Sequence, residues 1–166
     1  MTPEEAMNFL GEISNFVDDE TQPIMFEGSE EMEEKMKYRI FKLGENAFNS
    51  QIGKYGKYYS PEYKEYWIPL RKQRGRQVDY VDLNFTGDLS QSITSIKDKN
   101  GATIQITDSE NLAKANWQEY LQGVVKAGSP TPMDIFSSTK KEVKEVADDT
   151  EKKYLDGLDK IINSYQ

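Results

Sequence analysis

Cysteine and histidine are both absent from the 166 residues. Without cysteine there is no disulfide, no thiolate zinc site and no thiol nucleophile. Without histidine there is no Ser–His pair and no imidazole general base. Long hydrophobic runs are also missing. No stretch approaches the ~20 apolar residues that cross a bilayer, and the acidic N-terminus is unlike a signal peptide. The expectation is a soluble chain made in the cytoplasm, with no membrane partner. Carboxylate-only magnesium or calcium chemistry survives these exclusions. Asp18, Asp19 and Glu20 lie in a row, but no EF-hand spacing or glycine accompanies them. Asp148 and Asp149 are equally isolated, and both groups read as solvated helix ends. No catalytic, cofactor-binding or metal-ligating residue is assigned, and an enzyme is not expected.

What the chain has is charge, and it is segregated. Charged residues make up 30% and apolar ones 36%, with a net charge of −8. Residues 1–34 carry eleven acids and no base, residues 35–76 eleven bases and three acids, and residues 77–166 fifteen acids and ten bases. Opposite blocks of this kind steer and orient docking between subunits. The length suits a single domain, residues 1–166, with a thin core.

Residues 2–19 read as a helix. Thr2, Pro3 and Glu5 supply a cap, a first-turn proline and a capping box. Ala6, Leu10, Ile13 and Val17 share one face, and Phe9 and Phe16 widen it or serve a partner. Residues 21–28 read as a connector with an extended residue before Pro23. A second helix follows from Ser29, with Met32, Met36, Ile40, Leu43 and Ala47 as its buried stripe. Residues 49–79 show no period and form an extended aromatic and basic loop or arm. Residues 80–85 alternate as a strand. Gly87 is a conformational requirement at the turn that follows, where Asp88 caps a short helical turn.

A hairpin then turns around Lys99, Asn100 and Gly101. A three-residue loop with left-handed Gly101 sets Ile96 opposite Ile104, which keeps the apolar residues on one face. Asp108 caps a helix with Leu112, Ala113, Trp117, Tyr120 and Leu121 on one side. Residues 122–138 form a Pro/Gly loop with turns at Pro130 and Pro132. A last helix opens with the Thr139–Glu142 box and carries Val143, Val146, Leu155, Leu158, Ile161 and Ile162. The sum is an α+β fold: a small antiparallel sheet packed by several helices.

Several motifs occur in a fixed order over roughly residues 30–162. They are Ser60-Pro61-Glu62-Tyr63, Trp67-Ile68-Pro69-Leu70, Thr86-Gly87-Asp88-Leu89 with Ser92-Ile93, Ala115 to Tyr120, and Pro130-Thr131-Pro132 with Phe136. This arrangement resembles the tail-completion, or virion-morphogenesis, proteins of tailed bacteriophages. The chain departs from that pattern at Trp117-Gln118-Glu119-Tyr120, where the family often has His-x-x-Gly, and at Pro132-Met133-Asp134. The resemblance implies a structural virion protein in a ring of six or twelve copies, at the head–tail connector, the neck or the top of the tail. Its partners are its own copies and adjoining connector, neck or tail proteins. Double-stranded DNA passes through the lumen without sequence-specific contact. Localisation is then the virion, and the host cytoplasm during assembly.

Within segment 54–76, aromatic and basic side chains suit a subunit interface, where such residues act as anchors. The candidates are Tyr58, Tyr59, Tyr66, Trp67, Arg71, Lys72, Arg74 and Arg76. One alternative is a small nucleic-acid-binding module, in which the bases hold phosphates and the aromatics stack on nucleobases; another is a purely intramolecular loop.

Overall fold

The computed structural model describes residues 2–53, 61–84, 86–99, 101–122, 124–126, 129–131 and 134–166. In chain order these form α1 (Pro3–Tyr38), a π-helical turn (Arg39–Leu43), α2 (Pro61–Gln73), α3 (Asp88–Ser92), β1 (Ile93–Asp98) and β2 (Gly101–Ile106). Helix α4 (Ser109–Gln122), β3 (Val124–Lys126), β4 (Ser129–Thr131) and α5 (Lys140–Ser164) follow. The fold is α+β, mostly helical, with β1 paired to β2 and β3 to β4.

The first helix starts as its capping box requires: Thr2 N–H donates to Glu5 Oε2 at 2.5 Å, and Glu5 N–H to Thr2 Oγ1 at 3.2 Å. It does not stop before Pro23. A connector and two helices were the expectation for residues 2–47, but α1 runs unbroken to Tyr38 with Pro23 inside. Proline withdraws one backbone donor and crowds the preceding turn, at ~3 kcal/mol. Contacts made by Gln22, Met25, Phe26, Glu27 and Gly28 on other elements offset that cost. The helix ends in the wider π turn, closed by Gly44 at φ 67°, whose N–H reaches back to Arg39 O. The extra residue per turn rotates the stripe. Phe41 is buried, and Leu43, expected inside, is exposed.

One compact unit comprises Met1–Glu33, Ser95–Ile104 and Lys140–Gln166. Helix α5 lies antiparallel to α1. Phe9 meets Tyr165 edge-on at 5.3 Å, Phe16 meets Tyr154 at 5.3 Å, and Lys153 Nζ reaches Glu27 Oε1 at 2.8 Å. Asp149 and Glu27 together raise the Lys153 pKa above the ordinary lysine value. Two glycines permit the close approach. A Cβ on Gly157 would lie 2.4 Å from the Phe16 ring, and one on Gly28 would lie 2.6 Å from Thr150 Oγ1. The packed stripe of α1 is therefore Ala6, Phe9, Ile13 and Phe16, while Leu10 and Val17 are exposed. On α5, Val146 is buried and Leu158 and Ile161 are half-buried, but Val143, Leu155 and Ile162 face solvent.

The hairpin tip rests on α1. Ser95 N–H donates to Glu33 Oε2 at 2.6 Å, Gln22 Nε2 donates to Asp98 O at 2.8 Å, and Lys97 Nζ sits 4.8 Å from the Phe26 ring centre. The register differs from the expected one. The strands stop at Asp98 and resume at Gly101, and Thr107 N–H donates to Ser92 O. Ile93 and Ser95 share the sheltered side with Ala102, Ile104 and Ile106, and Ile96 is exposed. Side chains alternate with period 2, so the one-residue shift turns Ile96 outward.

The second unit comprises Glu34–Thr94 and Gln105–Thr139. Its core is thin: Met36, Ile40, Phe41, Ile52, Val81, Ile93, Ala115 and Ile135. Buried polar anchors complete it. Arg39 donates to Glu45 O at 3.0 Å, Ile135 O at 3.2 Å and Ser137 O at 2.6 Å. Glu119 Oε1 accepts from Ile135 N–H at 2.7 Å and Phe136 N–H at 3.0 Å. Side chains thus hold the backbone of residues 135–137, which follow Asp134 at φ 56°. Residues 81–84 are not a strand. Gln77 Oε1 takes the N–H groups of Asp79 and Tyr80, Asp82 Oδ1 takes that of Asn84, and Leu83 sits at φ 51°. Those backbone groups are bound locally, and a left-handed residue breaks extension. Residues 124–131, expected as loop, contain the β3–β4 pair, with Val124 opposite Thr131 and Pro130 opposite Val125.

Candidate assembly interface

The aromatic and basic segment is partly a helix. Pro61 opens α2 at a position that needs no N–H donor, Glu62 lies in its first turn, and Arg71 and Lys72 lie in its last, as the helix dipole favours. Pro69 is tolerated inside it. The helix closes on Gly75 at φ 63°. Gly75 N–H donates to Lys72 O at 3.0 Å, and Arg76 N–H to Arg71 O at 2.9 Å, the two bonds of a Schellman cap. A regular helix within residues 49–79 replaces the arm expected there. Tyr58 and Tyr59 lie outside the described residues.

The aromatics of α2 form a small cluster. Tyr63 stacks on Trp67 with centroids 6.2 Å apart, and Tyr66 meets Trp67 edge-on at 5.1 Å. Tyr66 is 71% exposed and Trp67 38%. Lys72 and Arg74 are exposed, and Arg76 is half-buried. Arg71 is different: it is 1% exposed, donates to Asp82 Oδ1 at 2.7 Å and to Gln77 O at 2.9 Å. It is an internal tie and not a docking residue. Tyr66, Trp67 and Lys72 are therefore exposed on α2, and Arg74 in the turn just past its end.

Sequence periodicity misplaces a second set. On α4, Asp108 caps as expected, accepting Asn111 N–H at 2.8 Å. Among the described side chains of α4, over residues 109–120, Asn111 and Ala115 are buried, whereas Leu112, Trp117 and Tyr120 are 45%, 65% and 53% exposed and Ala113 is exposed too; Leu121 lies outside the described side chains. An asparagine on the inner face hides the true phase of this helix. The structural turns fare differently. Gly87 is left-handed at φ 101° and is itself the N-cap of α3, so Asp88, expected to cap, lies in the first turn and makes no cap bond; Gly101 at φ 146° is buried beside Met25, Pro130 lies in β4, and Pro132 is outside the described residues.

Among the described residues, no group of three or more His, Cys, Asp or Glu side chains is placed to hold a metal ion. Among the described residues, no helix is long and apolar enough to cross a membrane. Exposed aromatic and cationic side chains are the residue types that act as docking anchors: large rings bury much surface and cations fix orientation. Compared with protein-family models, curated proteins and solved structures, the chain matches none.

Proposed function

We propose that the protein is a structural component of a tailed bacteriophage particle. It forms a ring in the head–tail connector, the neck or the top of the tail, through which double-stranded DNA passes. The observation that carries this reading is the ordered set of motifs along residues 30–162, joined to exposed Tyr66, Trp67 and Lys72 on α2 and Arg74 just after it. In this reading the α2 surface of one subunit meets an acidic surface of its neighbour or of the adjoining ring. Acidic helices lining the lumen would let DNA slide, since like charge does not bind it. The nucleic-acid-binding alternative is weakened by the net charge of −8, which repels a polyanion.

Gold-labelled antibody electron microscopy on particles from the producing culture tests the proposal. Label at one site where head meets tail is the expected result. Intact particles that carry no label, with an antibody that binds the native surface, would refute it. Salt-dependent DNA binding by the isolated protein would then favour the alternative.

A further inference from the structure

The two outer edges of the β1–β2 hairpin differ. Thr107 N–H donates to Ser92 O, so both residues turn their backbone groups into the ladder. Along an antiparallel strand these groups alternate between the ladder and the outer edge. Ser95 on β1, and Ala102 and Ile104 on β2, therefore present theirs at the outer edges. The β1 edge is taken by α1: Ser95 N–H donates to Glu33 Oε2 at 2.6 Å, and Lys97 Nζ lies 4.8 Å from the Phe26 ring centre. On β2, Ala102 and Ile104 make no hydrogen bond beyond the ladder among the described residues, and neither is buried. Folded proteins blunt a free edge with charge, proline or a bulge. Gly101 to Thr107 carries neither charge nor proline.

We infer that the β2 edge receives an extended segment of a partner protein, which adds to the hairpin as a third strand antiparallel to β2. The edge selects that chemistry. Ala102 and Ile104 each offer one N–H and one C=O, and the set repeats every ~7 Å along the strand. An extended polypeptide backbone matches that repeat of donor and acceptor, and a lipid or an inorganic anion does not. Side chains set the pattern of the segment. Its residues beside Ala102 and Ile104, on the sheltered face, are apolar, and those beside exposed Thr103 are small or polar. A charged segment would find no counter-charge on this stretch. A third strand also suits the hairpin, since two strands alone are marginally stable. A second copy is the poorer occupant. Two β2 edges of five residues would meet over ~17 Å by ~10 Å, or ~350 Å² over both copies. A stable interface needs ~1,000 Å². A segment tethered through its parent protein's other contacts escapes that requirement, because tethering raises its effective concentration. This inference does not depend on the virion reading.

Fluorescence anisotropy on the full chain tests it, with a labelled GATIQIT peptide as probe. This is the sequence of residues 101–107, which has the uncharged alternation the edge calls for. Saturable binding is expected. Ala102→Pro removes an outward N–H and no ladder bond, and should weaken binding about tenfold with helical circular dichroism retained. Methylating the two isoleucine amides of the peptide should do the same, and this comparison decides the matter if Ala102→Pro fails to fold. No binding at millimolar peptide, or undiminished binding after either change, would overturn the inference. So would an unsubstituted chain of doubled mass in light scattering that Ala102→Pro returns to monomer, since a second copy would then fill the edge.

Discussion

Replacing Arg71 with Met should be among the most damaging single changes in the second unit. Its guanidinium is 1% exposed and its partner Asp82 5%, with 2.7 Å between Nη2 and Oδ1. The substitution keeps most of the side-chain volume and removes the charge. Asp82 then stays buried without its guanidinium, and Gln77 O loses the donor now 2.9 Å away. Breaking a buried ion pair from one side costs about 3–5 kcal/mol. A chain of this length loses about 2–4 °C per kcal/mol, so Tm should fall by roughly 6–20 °C. Adding Asp82→Leu removes the stranded carboxylate, and apolar replacement of a buried pair is often close to neutral. Asn84 N–H loses its acceptor in that double variant, at about 0.5–1.5 kcal/mol. The double variant should therefore be more stable than the single one. Urea titration followed by far-UV circular dichroism measures both. A single-variant cost below ~1 kcal/mol, the value of an exposed pair, would refute the internal role of Arg71.

Gly44→Ala should cost at least ~2 kcal/mol by calorimetry, because left-handed backbone disfavours a Cβ and overpacking adds to it; here that Cβ would lie 2.3 Å from Val81 O. Gly157→Ala should gain ~1 kcal/mol of helix propensity and lose more to the Phe16 clash, a net loss of ~1–2 kcal/mol that reverses sign in a Phe16→Ala background. Tyr80, whose hydroxyl donates to Lys42 O, has its pKa raised above the ordinary 10.0 by desolvation first and then by Asp82, Asp79 and Tyr38. The folded state holds that proton more tightly than the unfolded chain, so its stabilisation is complete below pH 10 and lost as pH rises through the folded value. Thermal scans from pH 8 to pH 11 should show that loss, and Tyr80→Phe should flatten it. Tyr66→Ala with Lys72→Glu should shift stability by less than ~0.5 kcal/mol yet lower incorporation into particles; normal incorporation would remove α2 from the interface.

The parts of this fold legible in the sequence are those settled by neighbours along the chain. The Thr2–Glu5 box, the Asp108 cap and the left-handed turn at Gly87 each depend on residues within three positions, and each forms. What failed depended on distant partners. Pro23 predicts a break because proline removes a donor, but contacts from α5 and the hairpin carry the helix through it. Leu10 and Val17 match the packed phase as well as Phe9 and Phe16 do. The phenylalanines won, because Gly157 leaves room for a ring where an aliphatic side chain would leave a gap. The alternating run lost its strand character over residues 80–84 to Gln77 and Asp82, whose side chains bind the backbone groups a ladder would need.

The same competition explains why the candidate interface was only half visible. Arg71 and Arg74 sit three residues apart on a basic segment, and nothing local says that one is buried and the other exposed. The difference comes from Asp82, eleven residues after Arg71, which supplies the carboxylate that makes a buried guanidinium tolerable. A basic cluster in a thin-cored protein thus divides: Arg71 replaces missing apolar core, and Lys72 and Arg74 are left exposed. Separating the two roles is a matter of stability against assembly. Substituting Arg71 should change both, and substituting Lys72 should change assembly alone. Equal stability losses at the two positions would show that α2 is held in place by its charges collectively, and the surface set Tyr66, Trp67, Lys72 and Arg74 would lose its standing as a docking site.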